Sequence, residues 1–532
     1  TKHGQHPSGV LRCPEEKEFL TMKINRTANA TRNITWGIAS QIILVGFPFI
    51  VRAATIHSLG AEYLGINSLF QSVLQVLSIS ELGVSSAITY SMYQPIAEDD
   101  TDTICALLNF YRKVYLAIGL LILTGGLLIC PFIPKIISGT VPDGVNIYLV
   151  FLVYLGNSVI GYFFFSYKQS LLNAHQRTDV LSINQILARI FMYSCQIFVL
   201  LKFKNYYTYL FFVPLTTLIQ NFANSALVDK MFPQYVCRGE ISSGLLHKIR
   251  LSIPGLLINK LCVISRNSFD NIFISAYLGL TVSAIYANYY YILNSLSSFL
   301  GIIASSILAG IGNSIVIESS ETNYQTMKKI NFIYMWLAGW CAICLLCLYQ
   351  PFMRIWVGDE LCFDFKTVIL FVLYFYLLKV GDIRGTYSEA AGLWWENRYR
   401  AILESVVNLI LNYTLVRFLG IYGIILATLL SLFFINFLWG SNIVFKFYFK
   451  NGKASEYFLL HGKYALCTGC IATVTYIVCS LKTYGLYGDF FVRGIICAIL
   501  PNLIYYLVYR KTSEFKIAVP WILNKVLHKK DQ

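Results

Sequence analysis

Residues 114–138 read VYLAIGLLILTGGLLICPFIPKIIS, a stretch in which Lys135 is the only charged residue. Because a helix of about 20 apolar residues crosses the hydrocarbon core of a bilayer, this stretch predicts a transmembrane helix. Comparable stretches recur along the chain and predict fourteen spans, numbered in chain order: 35–56, 64–92, 114–138, 147–171, 180–201, 207–227, 251–277, 283–312, 331–353, 367–393, 400–418, 421–445, 464–481 and 490–509.

The composition also indicates a polytopic membrane protein. Of the 532 residues, 56% are hydrophobic and 13% are charged, and the mean hydropathy is +0.60. Since a soluble chain carries about 25% charged residues, a soluble fold is excluded. The predicted fold class is an all-α polytopic membrane protein.

The positions of Lys and Arg predict the orientation of the chain. Basic residues near the ends of spans stay on the cytoplasmic side, and alternate connections of this chain carry most of them. This pattern predicts that both termini are cytoplasmic, which requires an even number of spans. The net charge of +15 is therefore interpreted as membrane topology and not as affinity for nucleic acid, because the basic residues do not form one patch.

A weak internal repeat has an offset of 219 residues, superposing Leu59-Gly60 on Leu278-Gly279 and Ile66 on Ile285. It predicts two six-helix lobes related by an axis along the membrane normal, with two helices appended. Cargo sites in such transporters lie between the lobes. The predicted divisions are an N-lobe (22–228), a cytoplasmic linker (229–250), a C-lobe (251–448), spans 13 and 14 (449–509) and a basic amphipathic cytoplasmic tail (510–532).

The first 21 residues are polar and precede Met22. They lack the apolar core of a signal peptide. We interpret residues 1–21 as a non-native or upstream extension.

Seven of the cations inside predicted spans are expected to be membrane-embedded: Arg52, Arg189, Lys260, Arg266, Lys379, Arg384 and Arg493. Each costs about 3 kcal/mol at the centre of a bilayer, so each is expected to face a carboxylate, a water-filled cavity or an anionic cargo. Carboxylates nearby in sequence favour structural pairs for Lys379, Arg384 and Arg493.

The other four cations are candidates for contact with a cargo. Arg266 lies four residues before Asp270 and either pairs with it or faces cargo, whereas Lys260 has no carboxylate at such a spacing. Arg189 is central in span 5. Arg52 lies near the predicted outer end of span 1, from which its side chain could reach the interface.

Polar residues share one face of span 2, at Asn67, Gln71 and Gln75, because spacings of four residues stack on a helix. The repeat partner, span 8, carries Tyr290 and Asn294 at equivalent places. Such faces either form hydrogen bonds between packed helices or line a cavity. For the whole stripe, a water-filled cavity is the favoured interpretation.

Carboxylates within the spans are candidates for coupling transport to an ion. Asp270, Glu404 and Glu81 lie in segments otherwise apolar enough to be buried. Burial raises the proton affinity of a carboxylate, and intramembrane carboxylates commonly carry protons. The coupling ion, proton or sodium, and a role of the membrane potential stay open.

No catalytic or metal motif was found. The sequence contains no phosphate-binding loop, no HExxH and no GxSxG. Cys341, Cys344 and Cys347, and likewise Cys467 and Cys470, are interpreted as apolar packing residues and not as metal ligands. The sequence therefore predicts a transporter and not an enzyme, with no resident cofactor.

Several stretches resemble the polysaccharide transporter branch of the multidrug/oligosaccharidyl-lipid/polysaccharide (MOP) superfamily, the Wzx-type flippases of bacteria. They are MKINRTANATRNITWG at 22–37, YLGINSLF at 63–70, SELGV at 80–84, YQPIA at 93–97 and AGLWWENR at 391–398. The resemblance runs from Met22 to about Tyr509.

This resemblance implies a flippase of the bacterial cytoplasmic membrane. Its cargo would be an undecaprenyl-diphosphate-linked oligosaccharide for capsule, exopolysaccharide or other cell-surface polysaccharide, moved by alternating access. Its partners would be membrane lipids and the glycosyltransferases and polymerase of the same pathway. The diphosphate would meet Lys260, Arg266, Arg189 and Arg52, and the sugars would meet the polar faces of spans 2 and 8.

Two other functions stay open. A drug or cation antiporter of the same superfamily would share the fold, but a cationic cargo favours unpaired carboxylates over this many basic residues. A membrane-bound polysaccharide polymerase or ligase would also handle lipid-linked sugars, but such enzymes resemble chains with a large charged external loop, which this chain lacks.

Overall fold

Helices account for nearly all of the chain that the structure describes. The computed structural model describes residues 26–81, 84–139, 141–450, 454–482, 484–518 and 520, without the side chains of 26–35, 38, 79, 80, 86, 248, 250–263, 265–267 and 309. Among these residues there is no β-strand. The predicted all-α class is confirmed.

The first half of the chain folds into α1 to α8. Their bounds are Arg26–Ser58 (α1), Ala61–Leu77 (α2), Val84–Ala97 (α3), Thr101–Ile129 (α4), Ile147–Phe163 (α5), Gln169–Ala174 (α6), Thr178–Lys202 (α7) and Tyr206–Met231 (α8). Short 3-10 segments cover Ser78–Glu81, Cys130–Ile136 and Ser166–Lys168.

The second half folds into α9 to α18. Their bounds are Ser243–Leu278 (α9), Leu280–Ile317 (α10), Ser320–Val357 (α11), Phe365–Val380 (α12), Asp382–Ala390 (α13), Arg398–Leu419 (α14), Ile421–Leu430 (α15), Gly440–Phe447 (α16), Ala454–Ser480 (α17) and Leu486–Tyr509 (α18). A 3-10 turn covers Asp359–Leu361, and a π-helix, Ser431–Trp439, joins α15 to α16.

Helical segments coincide with all fourteen predicted spans. Within the described residues, ten helices are long and apolar enough to cross a membrane, and the bent pair Ile147–Phe163 and Ser166–Ala174 makes an eleventh. The remaining predicted spans, 2, 7 and 10, correspond to α2 with α3, α9, and α12 with α13.

Apolar side chains are exposed on the outside of this bundle and polar side chains are buried inside it, the reverse of a soluble protein. Leu128 and Leu466 are each 73% exposed on the outside of the bundle, whereas Asn408, Asp270 and Glu404 are buried inside it. Apolar side chains outside and hydrogen-bonded polar ones inside fit a lipid surrounding. The chain is a multi-pass membrane protein.

Two large apolar cores stabilise the bundle. The first packs side chains from α1 to α9, such as Phe70, Phe151 and Leu107, and the second packs side chains from α9 onwards, such as Tyr289, Phe371 and Tyr374. A smaller core joins α11 with α17 and α18. The lobe, linker and tail boundaries stay predictions, and residues 1–21 and 521–532 lie outside the described part.

One set of contacts between the two halves lies at the end of the bundle where α1 ends and α10 begins. Arg52 on α1 donates a hydrogen bond to Asn288 on α10 at 3.0 Å, and Trp356 on α11 donates to the carbonyl of Phe49 at 2.8 Å. Gly65 on α2 packs directly on the backbone of α10. We call this end, which holds the loops at 59–60 and 279, the closed end.

Candidate functional site

Two helices are broken at positions that the repeat relates. α5 ends at Phe163 and the chain resumes with a 50° bend at Ser166, while α12 ends at Val380 and α13 begins after Gly381. The offset of 219 residues places the break at 164–165 on 383–384, within three residues of Gly381. Because broken backbone inside a membrane persists only where it is buried or lines a cavity, paired breaks indicate a binding region.

The break in α5 lines a cavity of about 390 Å³, here called the first-half cavity. Glu81, at the end of the 3-10 segment that interrupts span 2, lies in its wall. Its two carboxylate oxygens accept hydrogen bonds from Tyr115 at 2.8 Å and Tyr162 at 2.6 Å. Among the described residues no cation pairs with Glu81.

The break between α12 and α13 lines a larger cavity of about 620 Å³, here called the second-half cavity. Its wall holds six charged side chains, namely Lys379, Asp382, Arg384, Glu389, Arg400 and Glu404. Lys379 pairs with Asp382 at 2.8 Å, and Arg400 pairs with Glu404 at 2.6 Å. The predicted structural pair of Lys379 is confirmed.

Arg384 is the charge in this wall that sequence reasoning misjudged. It is buried, and its guanidinium donates to the amide oxygen of Asn436 at 3.0 Å, while its Nε has no hydrogen-bond partner. The predicted ion pair is therefore wrong within the described residues. Gly440 has no Cβ, and a Cβ there would be 2.0 Å from Arg384 Nη1. The guanidinium can therefore lie against the π-helical segment, where it meets Asn436 and not a carboxylate close to it in sequence.

The two cavities occupy equivalent places in the repeat. Lining residues that the offset superposes are Ser85 and Ala304, Tyr162 and Gly381, Ser166 and Gly385, Gln169 and Ser388, Ser170 and Glu389, and Thr217 and Asn436. The charges do not repeat. Positions 165 and 181, which match Arg384 and Arg400, hold Phe165 and Leu181.

Asp270 on α9 lies in a third polar cluster, buried between helices of the second half. Its carboxylate accepts hydrogen bonds from Asn412 at 2.7 Å, Tyr286 at 3.0 Å and Thr428 at 3.2 Å. Asn408 donates to Thr428 at 3.2 Å. The arrangement is rich in oxygen ligands of the kind that hard cations prefer.

Arg52 lies at the closed end, between the halves. Besides its bond to Asn288, its guanidinium lies 4.7 Å from the ring centroid of Tyr291. Within the described part of the chain Arg52 has no carboxylate partner, so it does not belong to a structural ion pair there.

Arg189 on α7 is likewise without a carboxylate among the described residues. Its Nη1 lies 3.9 Å from the sulfur of Met192, and its Nε is buried without a hydrogen-bond partner. By contrast, Arg493 is 3.9 Å from Asp489, which confirms that predicted pair.

The predicted sugar-binding residues have different surroundings. Asn67 is buried and accepts hydrogen bonds from Tyr154 and Tyr206 at 2.8 and 2.7 Å. Gln75 accepts one from Ser268 on α9 at 3.0 Å.

Three of the five predicted residues have exposed side chains, namely Gln71, Gln75 and Asn294. Tyr290 is partly buried and stacks on Tyr286 with 6.0 Å between ring centroids. None of the five lines the first-half or second-half cavity. Their role as a cavity wall stays a prediction.

Two predicted cargo cations lie on α9, whose backbone the structure describes. The side chains of Lys260 and Arg266 lie outside the described residues. Their contacts with cargo, and the alternative pair of Arg266 with Asp270, stay predictions.

Three buried cysteines come together from separate helices. The sulfurs of Cys347, Cys479 and Cys497 lie within 4.8 Å of one another, inside the small core of α11, α17 and α18. This set differs from the groups that sequence spacing suggested, because only the fold brings these helices together. Packing stays the interpretation of these thiols.

Sequence reasoning missed Arg400, Asn436 and the breaks in α5 and α12. Arg400 is the first residue of predicted span 11 and is not among the seven cations that the sequence analysis assigned to the membrane interior. Its (i, i+4) spacing to Glu404 was the signal that could have placed it in the site. Asn436 was detectable only as the repeat partner of Thr217.

Comparison with known proteins places the chain among membrane transporters. Residues 30–309 match the family described as polysaccharide biosynthesis protein. No curated protein matches the chain.

Solved structures share its fold. The lipid II flippase MurJ in an inward closed conformation is 15% identical, with 90% of this chain and 98% of that chain covered and a TM-score of 0.60. An inward-facing multidrug resistance MATE family transporter is 14% identical, with 75% and 93% covered and a TM-score of 0.57. A MOP superfamily transporter from Pyrococcus furiosus is 13% identical, with 78% and 96% covered and a TM-score of 0.52.

Proposed function

Because the chain belongs to the polysaccharide biosynthesis protein family, within the MOP superfamily of transporters, we propose that it is a flippase for undecaprenyl-diphosphate-linked oligosaccharides. It moves the repeat unit across the bacterial cytoplasmic membrane by alternating access, for assembly of a cell-surface polysaccharide. The glycosyltransferases that build the unit and the polymerase that extends it are the proposed partners.

The observation that carries the proposal is a set of membrane-embedded guanidinium groups without carboxylate partners. Arg52, Arg189 and Arg384 have none among the described residues. Each such cation costs about 3 kcal/mol in the bilayer interior unless a polar environment or an anion compensates it. A diphosphate is the anion in a lipid-linked sugar, and guanidinium groups bind phosphate oxygens in pairs.

Arg384 joins the proposed diphosphate contacts for this reason, beside Arg52, Arg189, Lys260 and Arg266. Lys260 and Arg266 are proposed from the sequence alone, because their side chains lie outside the described residues. Asn67, Gln71, Gln75, Tyr290 and Asn294 stay proposed contacts of the sugars during passage between the halves.

Alternating access is supported by the contacts at the closed end. The positive-inside distribution predicts that this end faces away from the cytoplasm. With the outer end closed by Arg52, Trp356 and Gly65, the cargo would enter from the cytoplasmic side. Opening of these contacts would then release it to the outer leaflet.

Three carboxylates are the proposed candidates for ion coupling. Asp270 is buried among Asn412, Thr428 and Tyr286, groups that could bind sodium or relay a proton. Glu404 pairs with Arg400, and Glu81, which has no ion pair among the described residues, lies in the wall of the first-half cavity.

One observation favours a second candidate function. Glu81 is a carboxylate without a cationic partner in the described residues, and a cationic compound would compensate it. A drug or cation antiporter is therefore the alternative, with Glu81 as its cargo contact.

The test measures how much lipid-linked oligosaccharide is accessible in each leaflet in cells that depend on this chain. We expect Lys260→Ala and Arg266→Ala each to leave the oligosaccharide in the inner leaflet. A Lys482→Ala variant, in the connection between spans 13 and 14, serves as the matched control. Unchanged translocation in both cargo variants would refute the role of these cations, and export of a cationic dye by the wild type would favour the antiporter.

A further inference from the structure

The wall of the first-half cavity is polar throughout. Every lining residue that the structure describes carries a hydroxyl, amide or carboxylate group except Gly161; the others are Ser78, Glu81, Ser85, Tyr111, Tyr115, Asn157, Ser158, Tyr162, Ser166, Gln169, Ser170, Asn173 and Thr217. No aliphatic side chain and no cation is among them. A wall of this kind inside an apolar bundle needs a polar occupant.

Three tyrosines and Glu81 form one face of this cavity. Tyr111 donates a hydrogen bond to Tyr115 at 2.7 Å, and Tyr115 and Tyr162 both donate to Glu81. The rings of Tyr115 and Tyr162 are 5.4 Å apart between centroids. The result is an aromatic surface around a carboxylate that still has lone pairs to accept further hydrogen bonds.

Other residues of the wall offer unused hydrogen-bonding groups. Asn157 accepts a hydrogen bond from Thr217 at 2.7 Å, but its amide NH₂ has no partner among the described residues. The side chain of Asn173 has none there either. Amide donors in the same wall as a carboxylate acceptor suit a ligand that carries several hydroxyl groups, each both donor and acceptor.

The size of the cavity excludes a bare ion as the sole occupant. Its volume of about 390 Å³ corresponds to roughly a dozen waters at ~30 Å³ each and lies at the lower end of ligand pockets, about 300–1,000 Å³. The absence of aliphatic groups from the described wall disfavours a lipid tail. The absence of cations from it disfavours a phosphate.

We propose that the first-half cavity binds an uncharged sugar unit of the cargo. This inference rests on the proposed function, which supplies an oligosaccharide. The equivalent second-half cavity contains Arg384, Arg400 and Lys379. The first half would therefore bind uncharged sugars of the cargo, and the second half would bind its anionic diphosphate. The two cavities share their place in the repeat but differ in charge: among the described residues Glu81 is the only charged group lining the first, whereas six charged groups line the second.

The test uses a substitution that places a larger side chain inside the cavity, at a position where the neighbouring atoms leave room for a Cβ. A Cβ added at Gly161 meets nothing within 4 Å, and the same holds for Gly156 on the same helix, which does not line the cavity. Gly161→Leu is therefore the test variant and Gly156→Leu its matched control. A second pair, Tyr162→Phe against Tyr505→Phe, removes a single hydroxyl inside or outside the cavity and keeps the test valid if the leucine variant fails to fold.

Two readouts are measured on the full-length protein. The first is binding of the repeat-unit oligosaccharide, released from the carrier lipid of the host by mild acid, to purified protein. The second is translocation of the intact lipid-linked unit in proteoliposomes. We expect Gly161→Leu to weaken binding and to slow translocation at least tenfold, Tyr162→Phe to weaken binding severalfold, and both controls to match the wild type.

The outcomes separate this inference from the proposed function. If the wild type translocates the lipid-linked unit and Gly161→Leu and Tyr162→Phe match their controls, the inference is overturned and the proposed function stands. If the wild type does not translocate it, the proposed function fails. If the cavity variants block binding of tetraphenylphosphonium and the wild type does not bind the oligosaccharide, the occupant is a cation and the inference is overturned.

Discussion

Substitution of Gly65 tests whether the closed end is one state of a moving transporter. A Cβ at this position would lie 2.1 Å from the carbonyl oxygen of Leu280, whereas close Cβ contacts in proteins lie at 3.0–3.4 Å. In Gly65→Ala, α2 and α10 must therefore separate by about 1 Å. Both neighbours are helix backbone, so no flexible side chain can absorb the shift.

The magnitude follows from this overlap. Overpacking of this size costs about 1–3 kcal/mol, and the cost applies only to the state in which the two halves touch. The intrinsic gain in helix propensity from glycine to alanine applies to both states and cancels. The ratio of outward-open to outward-closed protein should rise roughly 5–150-fold.

The assay measures whether a reagent added from outside can reach residue 72, which lies on α2 beyond the contact between α2 and α10. Ser72 on α2, which accepts a hydrogen bond from Asn271 on α9 at 3.2 Å, is replaced by cysteine and labelled from outside with a membrane-impermeant maleimide. Labelling is quantified by mass spectrometry of the peptide. Gly156→Ala, where a Cβ meets nothing within 4 Å, is the control. Equal labelling in Gly65→Ala and Gly156→Ala would refute the reasoning.

Three further predictions concern individual charges. Gly440→Ala places a Cβ 2.0 Å from Arg384 Nη1 and should displace this guanidinium and lower the translocation rate in proteoliposomes at least tenfold, whereas Gly462→Ala, with open space at its Cβ, should not. Asp270→Asn should remove the response of translocation to imposed sodium or proton gradients, measured in the same proteoliposomes. Arg52→Gln keeps a hydrogen-bond donor but loses the charge, and it should weaken binding of inorganic diphosphate to purified protein about tenfold.

Each of these predictions has a result that contradicts it. Equal translocation rates for Gly440→Ala and Gly462→Ala would show that translocation does not depend on the observed position of the Arg384 guanidinium. A gradient response that survives in Asp270→Asn would remove this residue from coupling. Diphosphate binding of wild-type strength in Arg52→Gln would leave this cation with a structural role at the closed end.

The helical fold was predictable because it depends on a property that each segment carries by itself. Hydropathy over about 20 residues predicts a span irrespective of its neighbours, and each of the fourteen predicted spans contains helix among its described residues. The breaks at Phe165 and Gly381 were not predictable in this way. A break inside an apolar window leaves its hydropathy unchanged.

The candidate site was predictable only where partners are close in sequence. The pairs Lys379 with Asp382 and Arg493 with Asp489 are three and four residues apart in sequence, and both were expected. Arg384 meets Asn436 across 52 residues, a contact that depends on the packing of α13 against the π-helix. Long-range contacts of this kind are set by tertiary structure.

The repeat gave more information than its sparse identity suggested. It relates the positions of the two cavities, although none of the superposed lining residues is identical. Charge was not preserved by the duplication, so the difference between the cavities could be recognised only after the structure placed Arg384 and Arg400 together.

Translocation by purified protein tests the central claim most directly. Proteoliposomes that contain the full chain and the lipid-linked oligosaccharide of the host are treated from outside with an enzyme that cleaves the glycan. The account predicts that the protein makes the internal fraction of the lipid accessible, and that Arg384→Gln slows this at least tenfold. Cleavage limited to the fraction seen in protein-free liposomes would contradict it.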